Sequence, residues 1–120
     1  MNALSNDPEI TGDIYSLLYE LGIRANTTAF FQTACAVRLA VEQPQKLLLV
    51  TKWLYPEVAK HYHSNWKAVE RNIRRTALAA WVKNPEQLEL LAGQTLPLKP
   101  TPTQFLTILA NHLRKKDFAA

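Results

Sequence analysis

The stretch Lys52–Lys83, KWLYPEVAKHYHSNWKAVERNIRRTALAAWVK, restricts what this chain can fold into more than any other segment. At about 100° per residue, Trp66, Val69, Ile73, Ala77 and Ala80 fall on one side of a helix over residues 66–82. Lys67, Glu70, Arg71, Arg74 and Leu78 fall on the opposite side. The apolar stripe must pack on the rest of the chain, so the cationic side turns outward. Upstream, Pro56 suits the first turn of a short helix running to about Tyr62. Ala59 is small where the two helices would cross, with Val58 and Tyr62 expected beneath the second. The turn His63-Ser64-Asn65 has no glycine, but His and Asn tolerate a left-handed backbone, and Ser64 or Asn65 can cap the second helix. Helix, three-residue turn and longer helix make a helix-turn-helix over about residues 56–82.

The remaining pattern is helical too, and no segment alternates with period two. Ile10, Ile14, Leu17, Leu18 and Leu21 recur at helical spacing before Gly22. Asn26 or Thr27 can open a second helix carrying Phe30, Phe31, Ala34, Val37, Leu39 and Val41, which Pro44 ends. Leu47–Leu54 reads as a buried helix, and Pro85–Leu91 as a short one closed by Gly93. Thr101-Pro102-Thr103-Gln104 is a capping box opening a last helix with Phe105, Ile108, Leu109 and Leu113 on its apolar face. The expectation is an all-α, compact, roughly six-helix domain over residues 10–116. A short N-terminal extension (1–9) and a C-terminal tail (117–120) flank it. Trp53, Trp66 and Trp81 are expected in helix packing, because they recur on apolar faces.

Charge is unevenly spread. Five acids against three cations leave residues 1–50 at −2, seven cations against two acids put residues 51–83 at +5, and residues 84–120 carry +1. Clustered cations are the footprint of a nucleic-acid binder, and a solvated basic face is the plainer alternative. The single cysteine, Cys35, excludes an internal disulfide and sits among small apolar residues as a buried thiol would. No metal, cofactor or enzyme is expected. His61, His63 and His112 do not converge, and no nucleophile–base pair, paired carboxylates or phosphate loop is visible. There is no signal peptide and no apolar run of membrane length, so the expected location is cytoplasmic, on the nucleoid.

The early turns of the second helix of a helix-turn-helix reach base edges in the major groove. Arg pairs bidentately with guanine and Glu accepts from the cytosine amino group, which makes Glu70, Arg71 and Arg74 the candidate base readers. A carboxylate among cations favours base reading, since phosphate alone would repel it. Lys52, Lys60, Ser64, Asn65, Lys67, Arg75, Lys115 and Lys116 are the candidates for phosphate or flanking contacts. The alternative for Glu70 and Arg74, four apart, is a surface ion pair worth a few tenths of a kcal/mol.

The motifs TKWLYPEVAKHY, AVERNIRR followed by AAW, KPTPTQFLTILANHLR and, early on, ELGIRAN resemble the C-terminal DNA-binding domain of the master regulator of sporulation, a response-regulator family, over about Ile10–Arg114. The resemblance implies sequence-specific binding of double-stranded DNA and transcription regulation, with Glu70, Arg71 and Arg74 on the family's base-reading positions. It also implies tandem copies on repeated sites and contact of Lys83–Gly93 with the RNA polymerase sigma subunit. Arg75 stands where the family usually has histidine. Trp66 and Lys67 open the second helix where the family has Thr or Ser, and the segment implied to meet polymerase diverges. The family's regulators carry a receiver domain, of which this sequence shows no acidic pocket. The initial Met points to a short natural protein. The rival reading is an interaction module that dimerises with or antagonises a full-length regulator or a sigma factor without holding DNA.

Overall fold

Thr28–Glu42 contains Phe30, four alanines, two valines and Leu39 with little charge, so it can be buried nearly all round, and ten of its fifteen residues are. It is the axle of the fold. In the computed structural model, which describes residues 8–119 and the side chains of residues 9–115, the elements are α1 (Pro8–Glu20), α2 (Thr28–Glu42), α3 (Tyr55–His61), α4 (Trp66–Lys83), α5 (Pro85–Ala92) and α6 (Pro102–Ala119). Helices α1, α3, α4 and α6 all pack against α2, and α5 bridges α4 and α6. Small side chains at Ala36 and Ala40, both fully buried, let neighbours come close to the axle. Phe30, Leu18, Leu21, Leu54, Ile73, Leu88, Phe105 and Leu109 fill the space between the helices. Among the described residues there is no strand, and no helix is long and apolar enough to cross a membrane.

The local stop and start signals act as expected. Gly22 takes a left-handed turn (φ 87°) after α1, and its missing side chain matters: a Cβ there would sit 3.1 Å from the Cβ of Lys83. The backbone N–H of Ile23 donates to Leu18 O, satisfying a terminal carbonyl. Thr27 caps α2 by accepting from the Phe30 N–H at 3.1 Å. Gly93 closes α5 with φ 74°. At α6, Thr101 Oγ1 accepts from the Gln104 N–H at 3.1 Å while Gln104 Oε1 accepts from the Thr101 N–H at 2.9 Å, the reciprocal pair of a capping box. Cys35 is buried, and burial pushes its thiol above the ordinary value against the opposing pull of Arg38.

Three expectations need correction. Residues 47–54 are not a buried α-helix. Pro44–Leu49 is 3₁₀ and Val50–Leu54 a single π-type turn, and of these only Leu54 is buried. Gln43 and Leu49 adopt extended φ values (−135° and −143°), so the helical register breaks twice and no continuous apolar stripe can form. The segment still runs beside α2, with Leu47 and Val50 partly buried against the core, but Leu48 and Leu49 face solvent. Trp53 and Trp66 are about two-fifths exposed rather than packed in the core, and only Trp81 is partly buried against it. Tyr62 does not lie under α4. It is exposed, and its hydroxyl donates to Phe31 O on α2 at 3.1 Å.

Residues 1–7 of the expected N-terminal extension lie outside the described residues, and the backbone of α6 continues to Ala119.

Candidate nucleic-acid interface

The turn between α3 and α4 depends on one residue. His63 takes φ 50°, and the N–H groups of Tyr62 and Ser64 both donate to Ala59 O, at 3.1 and 2.9 Å. The chain thereby reverses within three residues, without glycine. Asn65, not Ser64, caps α4: its backbone is extended and its Oδ1 accepts from the Ala68 N–H at 2.9 Å.

α4 is then set by its inner side. Val69, Ile73, Ala77 and Ala80 are buried. Beside this stripe runs a polar seam to α2. Asn72 Nδ2 donates to Gln32 Oε1 at 2.8 Å, Thr33 Oγ1 donates to Thr76 Oγ1 at 3.2 Å, and Thr76 Oγ1 donates to Asn72 O at 2.9 Å. Apolar packing resists lifting of the helix but tolerates a small roll about its axis. Hydrogen bonds with fixed partners do not. The apolar stripe chooses the outward side, and the seam holds it against a roll. The seam is not legible in the sequence: Asn72 and Thr76 stand four apart beside the apolar stripe, but their partners Gln32 and Thr33 lie far back along the chain.

Facing outward are Lys67, Arg71, Arg74 and Arg75, all exposed. Glu70 lies among them, partly exposed, with its carboxylate 3.6 Å from a guanidinium nitrogen of Arg74. The ion pair weighed as an alternative is thus present, yet Arg74 keeps 62% of its side chain exposed. Tyr55, at the start of α3, is only 1% exposed. Burial pushes its hydroxyl up to about 12, a hydrogen bond with Thr103 of α6 pulls the other way, and Glu70 and Arg74 act on it in opposite senses.

The other candidates divide into flanks. Lys52, Lys60, Ser64 and Asn65 are exposed and line one open groove with Trp53, His61 and Trp66, beside the start of α4. Arg75 lines a depression on the opposite flank with Arg24 and Lys83, two cations the sequence reading did not select. Lys115 is not brought to this face. It lies twelve residues beyond Thr103, about 18 Å along α6, in a groove with Leu91, Ile108 and His112. Lys116 is in α6, but its side chain lies outside the described residues. Among the described residues, no three His, Cys, Asp or Glu side chains gather as a metal site.

The arrangement is a rod presented by one side, with a cationic row and one carboxylate along the other and cations on both flanks. A model of the family described as sporulation initiation factor Spo0A C terminal matches residues 14–113, well over half of the chain and including all of α2 to α5.

Proposed function

The chain belongs to the family of sporulation initiation factor Spo0A C-terminal domains, DNA-binding transcription regulators and not enzymes, and on that premise we propose that it reads duplex DNA by laying α4 in the major groove. Glu70, Arg71 and Arg74 are the base readers in this reading, and Arg71, exposed and next to the Glu70–Arg74 pair, contributes most to selectivity. Lys52, Lys60, Ser64, Asn65, Lys67 and Arg75 hold flanking phosphates and supply most of the affinity. The observation that carries the reading is the uncovered cationic row on a helix whose rotation is locked by the Gln32–Asn72 and Thr33–Thr76 bonds. An interaction module that had given up DNA would have no use for that row. Lys115 sits too far along α6 to join these contacts from the same face, so its place is toward a neighbouring segment of DNA or a second copy. Tandem copies on repeated sites, a location on the nucleoid and contact with the sigma subunit through α5, which exposes Leu90, complete the proposal.

The test is selection of bound duplexes from a random pool, followed by salt-controlled titration of the selected and a scrambled duplex. Arg71→Ala is expected to reduce the preference between them by roughly 1–3 kcal/mol. An unchanged preference removes α4 from the role of reader.

A further inference from the structure

The groove beside the start of α4 has a composition that neither stability nor base reading explains. Its walls are Trp53, from the π-type turn, and Trp66, the first residue of α4, and both indoles are about two-fifths exposed. Its polar lining holds Lys52, Lys60 and His61. The one acid that lines it, Glu57, is engaged by the Lys46 ammonium. Lys67 Nζ lies 5.8 Å from the centre of the Trp66 ring, which sets one cation of the outward row beside the groove. Each indole keeps about two-fifths of its surface in solvent, and two such part-exposed rings lining one groove with Lys52 and Lys60 suit an occupant that is flat or apolar on one side and anionic on the other. The sugar–phosphate backbone of a nucleic acid has that character: deoxyribose carbon faces beside phosphates.

We propose that this groove seats the backbone of one DNA strand where it leaves the major groove, with Trp53 and Trp66 packing against deoxyribose and Lys52 and Lys60 pairing with the adjoining phosphates. The placement rests on α4 being the reading helix, because a strand flanking a helix inserted in the major groove passes over α3 and the start of that helix. These contacts carry no sequence information, so they raise affinity for every duplex alike and hold the register in which Arg71 reads.

The experiment follows acrylamide quenching of tryptophan emission as a selected duplex, and then a scrambled one, is added to the intact protein. Both duplexes are expected to shield the indoles, and Trp53→Phe combined with Trp66→Phe is expected to abolish the shielding, leaving only the signal of partly buried Trp81. Trp53→Ala and Trp66→Ala, at part-exposed positions, are each expected to weaken both duplexes roughly three- to tenfold and equally. Their circular dichroism checks that they fold. If both duplexes bind, Arg71→Ala still erases preference and yet neither indole is shielded, the groove is empty on DNA. That result overturns this proposal while leaving the reading helix in place. If Trp66→Ala alters preference rather than affinity, Trp66 touches bases and the backbone assignment is wrong. If no duplex binds at all, both assignments fall together.

Discussion

Helices α2 and α4 run against each other at the centre of the molecule and have similar lengths, 15 and 18 residues, yet they have opposite fates. α2 buries ten of its residues and α4 buries five. The contrast separates two jobs: α2 is the surface on which four other helices are assembled, and α4 is held by one side so that its other side can be used. The polar seam belongs to both. On α2 it costs buried side chains, Gln32 and Thr33, that an apolar residue would replace without loss of packing. On α4 it yields a definite rotation.

The contrast can be broken or sharpened by truncating each helix in turn. The largest effect is expected from Phe30→Ala, which removes a fully buried ring that stacks near Tyr15 and Tyr19 on α1. Denaturant unfolding should show a loss of about 3–5 kcal/mol. Leu78→Ala, on the outward side of α4, should lie within about 0.5 kcal/mol of the parent. Equal losses would mean that the two helices do not differ in the way described.

Next comes the seam. Asn72→Ala leaves the amide oxygen of buried Gln32 without its donor and should cost about 1–3 kcal/mol by the same measurement. If the seam sets the rotation of α4, this variant should also lose discrimination between selected and scrambled duplexes, although Asn72 is not among the proposed readers. Stability lost with discrimination intact would confine the seam to packing.

The smallest effect is expected at the end of α2. Glu42 has a carboxylate oxygen buried without a hydrogen-bond partner, and so has the Nε of Arg38 beside it. Burial raises the Glu42 carboxyl above its ordinary value, Glu57 adds to this, and Arg38 and Lys46 pull it down. A raised native value means that the folded state holds the proton more tightly than the unfolded chain. The stabilisation this group contributes is therefore full below the ordinary carboxylate range and is lost as pH rises through the raised value. Glu42→Gln should make the protein slightly more stable than the parent near neutral pH, by less than about 1 kcal/mol, and the advantage should vanish in acid. Thermal midpoints of both proteins across that range provide the check. A gap that widens in acid would reverse the sign of the argument.

Much of this molecule follows from its sequence alone, and the reason is that the relevant signals are local. The spacing of Val69, Ile73, Ala77 and Ala80 defines the inner side of α4 and so places Lys67, Arg71 and Arg74 on the outer one. The caps at Thr27, Asn65 and Thr101 and the stops at Gly22 and Gly93 involve partners within a few residues. Tertiary structure alone decided the rest. Leu48, Leu49 and Trp53 carry the hydrophobicity of a core segment, but the two breaks in helical register turn Leu47, Val50 and Leu54 toward the core and leave those three largely outside it. The polar seam that pins α4 to Gln32 and Thr33 and the gathering of Trp53 and Trp66 into one groove join residues that no periodicity relates. A helical repeat reports which side of a helix is apolar, whereas the partner it meets is chosen by the packing of the whole chain.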